Sequence, residues 1–300
     1  MLLAATQSLA QQEAMYTHYM FNTQGVNPAF AGSRPSFSVT TLHRSQWSVI
    51  PGHPVTQTLA MQTPMKRENM GLGLSIYNDR LGPERTTSLF GDYAYTIRVN
   101  EMSTLSMGVK AGISMHTIDY NELYTEQPDD PLMRNRENSL WLPNVGFGLY
   151  YRHEKFFTGF SIPHMMQENF LSNSVIGGAK FALKQRHYYF IAGTAFDLSE
   201  DVTLVPTTYL KVTRGAPMEL DLTTNFYFYE RFMLGAMFRT RDAIGVLAGL
   251  RITDQWMLGY SYDWSIMNHI PNNNFGSHEI VLRYDFILNE THRVTSPRHF

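Results

Sequence analysis

From Ser36 onward the chain repeats one pattern: segments of about ten residues in which apolar side chains alternate with small or polar ones, each cut by turn residues. Met70, Leu72, Leu74 and Ile76 alternate with Gly71, Gly73, Ser75 and Tyr77. Leu105, Met107, Val109, Ala111, Ile113 and Met115 share one face, and Ser106, Gly108, Lys110, Gly112, Ser114 and His116 the other. The pattern returns in Val145 to Leu149, Leu220 to Phe228, Ile244 to Ile252 and Ile280 to Phe286. Nowhere is there a run of about 18 apolar residues, so no helix is available to cross a bilayer. A membrane form of this chain has to be a closed barrel, in which every peptide group pairs with a neighbouring strand.

Alternation alone also fits a soluble sandwich with the roles of the two faces reversed. Connection lengths separate the two. The segments predict about fourteen strands, roughly 36–48, 54–64, 70–79, 85–98, 102–116, 143–152, 155–162, 186–198, 202–213, 217–229, 231–240, 243–252, 255–264 and 277–286. The three longest connections, Thr117 to Leu142, Pro163 to Gln185 and Ser265 to Gly276, are the fifth, seventh and thirteenth. Several even ones are tight, among them Val99 to Glu101, His153-Glu154 and Thr253-Asp254. In an up-and-down meander this puts long loops at one end and short turns at the other, as in outer-membrane barrels. Ser174 to Leu183 could form a further strand, but an odd count would break the sorting, so it is assigned to a loop. Trp47, Trp141, Trp256 and Trp264 fall at predicted strand ends or in the loop beside them, where interfacial girdles sit; the rims of a soluble sandwich are the alternative.

A single barrel uses 300 residues without an internal boundary, and no linker is visible. A net charge of -2 and the lack of any long run of like charge argue against a nucleic-acid partner. The absence of cysteine excludes disulfides and Cys-ligated metals and is compatible with the periplasm or outer membrane. Residues 1–10, MLLAATQSLA, read as the remnant of a secretory signal peptide ending in Ser8-Leu9-Ala10, with the mature chain starting at Gln11 or Gln12; an ordinary flexible N-terminus is the alternative.

Residues 11–35 fit neither a period of two nor one of 3.6, yet hold Met15, Tyr16, Tyr19, Met20, Phe21 and Phe30. A disordered tail would be poorer in aromatics, so an ordered, docked lead-in is expected, with Gly25 and Gly32 bracketing a turn at Asn27-Pro28. Here a family resemblance enters. Gln11, Gln12, Tyr16, Thr17, Tyr19, Met20 and Asn22, followed by Asn27-Pro28-Ala29-Phe30-Ala31-Gly32-Ser33, resemble the mature start of the PorP/SprF family of outer-membrane proteins of the type IX secretion system of Bacteroidota. The ending Ser296-Pro297-Arg298-His299-Phe300 is similar to that family's close, with His299 in place of the usual aromatic. The resemblance implies a non-enzymatic component in the cell outer membrane that supports export of cargo proteins and, in gliding bacteria, of surface adhesins. It implies periplasmic ring or peptidoglycan-linked components and cargo with C-terminal sorting domains as partners, beside outer-membrane lipid.

The expected architecture is therefore all-β: an up-and-down antiparallel transmembrane barrel over 36–300, preceded by the lead-in over 11–35. The predicted lumen face carries Asp92, Arg98, Lys110, Lys211, Glu219, Asp221, Arg239, Arg251, Asp263, Glu279, Arg283 and Asp285, with the two signs nearly balanced. Balanced charges can pair across a narrow lumen and hold a plug, whereas an ion-selective pore wants a ring of one sign; hydrated lumen residues are the alternative. Tyr16, Tyr19, Phe21, Asn27, Pro28 and Phe30 are the candidates for a plug or a partner-binding site. The acidic loop Tyr124 to Met133, longer than a turn requires, is a second candidate contact for an exported protein. The eleven histidines are scattered, no helical metal-binding pair occurs, and no glycine-rich loop opens a helix, so neither a metal nor a cofactor is expected. A porin-like small-solute channel is the second reading, and an outer-membrane lipid hydrolase the third.

Overall fold

The computed structural model describes residues 15–65, 69–119, 137–166, 175–176, 179–180, 186–213, 216–266 and 276–287. Fourteen antiparallel strands close into a barrel: β1 (Phe37–Ser45), β2 (Val55–Pro64), β3 (Met70–Leu81), β4 (Glu84–Asn100), β5 (Ser103–Asp119), β6 (Glu137–His153), β7 (Phe156–Ile162), β8 (His187–Thr194), β9 (Val202–Thr213), β10 (Glu219–Phe228), β11 (Phe232–Arg239), β12 (Ala243–Arg251), β13 (Trp256–Ser265) and β14 (Ser277–Phe286). Each strand pairs with its sequence neighbours, and β1 closes on β14 from Phe37↔Phe286 to Ser45↔His278. One extra short strand, Phe196–Asp197, pairs only with β9, and Val175–Ile176 pairs with Ala179–Lys180 outside the barrel wall.

The period-two pattern settles which side chains face where. On β5, Met107, Val109 and Ile113 point outward while Ser106, Lys110 and Ser114 are buried. The same division holds on β12, where Val246 is 61% exposed and Leu247 is 2% exposed. The outward face is apolar and the inward face largely polar, the reverse of a soluble sandwich and the arrangement a bilayer selects. All fourteen expected strands are present, and the fifth, seventh and thirteenth connections remain the long ones.

Several boundaries differ from expectation; the expected strand 186–198 breaks after Thr194, and the largest shift is at the start of β6. The β5–β6 hairpin runs on to the pair Asp119↔Glu137, so Trp141 lies within β6 and not in the loop beside it. Pro143 concealed this, because a proline commonly opens a strand; here it sits inside one, opposite Ile113. The N-terminal Met1 to Ala14, the loop from Tyr124 to Met133 and the ending Ser296 to Phe300 lie outside the described residues.

Lipid exposure of the outer face is directly testable. Val246→Lys, near the middle of β12, should lower unfolding stability in vesicles by about 2–4 kcal/mol, whereas Asp254→Lys, in the β12–β13 turn, should cost about 1 kcal/mol or less. Equal losses at the two positions would contradict the assignment.

Candidate functional site

The lead-in from Met15 to Arg34 lies inside the barrel. It contains a single helical turn, Thr23–Val26, and a 3-10 turn, Pro28–Phe30. Asn27 separates them in extended geometry, as the following proline demands, and its Oδ1 accepts from Ala29 N at 3.0 Å. Gly25 lies in the helical turn that leads into Asn27-Pro28, and Gly32, at φ +69°, closes the segment. Tyr16, Tyr19, Phe21, Asn27, Pro28 and Phe30 are all buried.

Polar anchors fix the segment on every side. The carboxylate of Glu279, on β14, accepts from Thr17 N at 2.9 Å and His18 N at 2.6 Å, and also meets His18 Nδ1 at 2.9 Å. Arg44, on β1, bridges Glu279 and Asp263 at 3.1 and 2.8 Å and donates to Thr17 Oγ1 at 3.0 Å. The hydroxyl of Thr17 donates to Asp263 at 2.6 Å. Beside this cluster, Arg239 grips Asp221 through Nε and Nη2 at 2.9 and 2.8 Å, with Nη2 at 3.5 Å from the Tyr16 carbonyl. Gln24 Nε2 lies 3.1 Å from Asp92, and Lys110 Nζ points at the Gln24 and Gly25 carbonyls at 3.5 and 3.4 Å. Asn27 Nδ2 donates to the Leu149 carbonyl at 2.9 Å, and Ser161 to the Val26 carbonyl at 2.6 Å.

Aromatic packing adds apolar contact. Tyr19 stacks on Tyr209 with ring centroids 4.8 Å apart, and Tyr209 in turn stacks on Tyr189. Burial pushes the Tyr19 phenol well above its usual range, while its hydroxyl donates to Thr223 at 3.2 Å. Phe30 meets Tyr150 edge-on at 5.4 Å. Burying such a side chain is worth about 1.5–3 kcal/mol.

Backbone proximity needs small residues in the wall. Gly71, Ala94, Gly108, Gly148 and Ser161 form one cross-strand row from β3 to β7. A Cβ on Gly71 would strike Ala31 O, one on Gly108 would strike Ala29 N, and one on Gly148 would strike Asn27 Oδ1. This row is the seat of the lead-in's second half.

Most of the expected lumen charges pair with one another. Lys110 and Asp92 are 3.5 Å apart, Lys211 and Glu219 3.4 Å, and Arg283 and Asp285 3.1 Å. Arg98 is exposed near the end of β4. Sequence reasoning missed Thr17, His18, Gln24 and Arg44. Arg44 shares the inward parity of Ser38, Thr40 and Leu42, which was the available signal, but β1 alternates too weakly to display it.

Among the described residues no group of three metal-binding side chains comes together. One Ser–His pair does form, Ser45 Oγ to His53 Nε2 at 3.0 Å, but His53 Nδ1 faces the Ile50 carbonyl at 3.2 Å. A carbonyl in that place orients the ring without supplying the carboxylate that stabilises an imidazolium in a catalytic triad, so the pair is read as a staple of the β1–β2 loop.

A model of the family described as "Type IX secretion system membrane protein PorP/SprF" matches residues 8–284. No curated protein matches the chain. Among solved structures, the CymD monoaromatic hydrocarbon channel aligns at 10% identity and TM-score 0.48, over 91% of this chain and 93% of that one. Acinetobacter baumannii outer membrane protein Omp33 aligns at 7% identity and TM-score 0.48, over 84% and 98%. A Pseudomonas aeruginosa FadL homologue aligns at 10% identity and TM-score 0.42, over 84% and 89%.

Two substitutions test the seat and its anchors. Gly108→Val should unseat the lead-in while leaving the barrel folded, so that chymotrypsin cleaves after Tyr19 or Phe21 in a protein that is still heat-modifiable on a gel; continued protection would count against the seat. Arg239→Met should destabilise by about 3–5 kcal/mol, because Asp221 is left charged and unpaired, and adding Asp221→Leu should restore much of the loss.

Proposed function

This chain belongs to the PorP/SprF family of type IX secretion system membrane proteins, and from that membership we propose that it supports export of cargo or adhesin proteins as a non-enzymatic scaffold of the secretion machinery. It is a β-barrel of the outer membrane. The observation that carries the scaffold reading is the occupied lumen: the lead-in lies in it and is held by polar groups on β4, β6, β11 and β14. Such an interior suits a rigid platform more than a path for diffusing solutes. The partners in this reading are periplasmic type IX secretion components and secreted cargo or surface adhesins, met at opposite ends of the barrel.

Tyr16, Tyr19, Phe21, Asn27, Pro28 and Phe30 are, in this proposal, plug residues that keep the barrel shut and shaped. Their burial leaves little aromatic surface for a partner to touch, which favours the plug over direct partner contact. The loop Tyr124 to Met133 remains the proposed contact for an exported protein; trimming it should reduce recovery of that protein without reducing the amount of barrel.

Extraction of the tagged protein from native outer membranes in mild detergent tests the scaffold directly. Co-purification of periplasmic secretion components or a surface adhesin is the expected result. Recovery of the folded barrel alone from a strain that is actively secreting would overturn it.

A further inference from the structure

The lead-in leaves a hollow beneath it at the short-turn end. Met20, Phe21, Met233 and Met257 line a pocket that opens to solvent. Four arginines from separate parts of the chain also line it: Arg34 just before β1, Arg231 in the β10–β11 turn, Arg251 at the end of β12 and Arg283 on β14. Glu230 shares the rim, and Asp285 accepts from Arg283 Nε at 3.1 Å, so among the described residues four cations meet two carboxylates. The buried Arg34 Nε has no hydrogen-bond partner among the described residues. Its guanidinium is held down to about 9, first by burial and then by the like charge of Arg283. Converging cations that burial and mutual repulsion both disfavour are relieved by an incoming anion.

The walls narrow the choice of anion. Guanidinium groups take carboxylates and phosphates through paired N–H donors. Glu230 on the rim repels a doubly charged phosphate more than a singly charged carboxylate. The thioether and phenyl surfaces of Met20, Phe21, Met233 and Met257 offer nothing to a hydrated inorganic ion but can cover an apolar side chain. Met20 and Phe21 of the lead-in form part of the wall, which bounds the pocket and suits one side chain better than a long acyl tail.

We propose that this pocket binds the free C-terminal carboxylate of a peptide whose last residue is apolar, with the carboxylate among Arg34, Arg231, Arg251 and Arg283 and the side chain against Met20, Phe21, Met233 and Met257. Short turns face the periplasm in outer-membrane barrels, so the peptide is met from that side. The site does not depend on the secretion reading: a barrel with any role could carry it.

The test is calorimetric titration of the full-length protein in detergent with the tripeptide Ala-Ala-Phe as free acid and as C-terminal amide, and with octanoate and inorganic phosphate. The free acid should bind saturably and more weakly as salt rises, and the amide should bind about tenfold more weakly or worse. Arg251→Gln and Arg231→Gln, both at the rim, should each weaken the free acid about fivefold or more while the barrel stays heat-modifiable; Arg231 lies in a turn, so its variant keeps the test valid should the strand variant misfold. The proposal is overturned if the free acid does not saturate, if acid and amide bind alike, if octanoate or phosphate binds as tightly as the peptide, or if the folded arginine variants bind like the parent.

Discussion

Hydrocarbon offers no water to an unpaired peptide group, and the rest of this structure follows from that constraint. Strands can cross a bilayer only if the sheet closes on itself, and the β1–β14 seam completes the ring. Eight strands enclose a space that wall side chains can fill, while sixteen or more leave an aqueous channel. Fourteen fall between these limits, and here the chain fills the remaining space with its own N-terminal segment.

Filling a polar lumen with peptide creates a second demand. Backbone groups of the lead-in that lose water need partners, and charged wall residues that lose water need counter-charges. Glu279 answers both at once, receiving two lead-in N–H groups and the Arg44 guanidinium. Asp263 and Thr17 complete that cluster, and Arg239 with Asp221 forms a second charge pair beside it, at the Tyr16 carbonyl. The near balance of lumen charge is thus a property of an occupied interior.

Much of this was legible in the sequence because the period of two and the sorting of loop lengths are local features. They place strands and ends even without knowledge of register. What needed the structure was register itself. Gly71, Ala94, Gly108 and Gly148 are scattered small residues along the chain and become one seat only when β3, β4, β5 and β6 are aligned. The same holds for Arg34, Arg231, Arg251 and Arg283, which are far apart in sequence and converge at one rim. The aromatics of the lead-in announced docking, but nothing local marks Thr17, His18 and Gln24 as its polar anchors, because their partners Glu279, Asp263 and Asp92 lie far away in sequence.

The central claim is that the lead-in closes the barrel, and planar-bilayer conductance tests it most directly. The full-length protein should be nearly silent, and a form lacking Gln11 to Ser33 should show steady open-channel currents while remaining heat-modifiable. Comparable currents from both forms would contradict the account and return the protein to the class of small-solute channels.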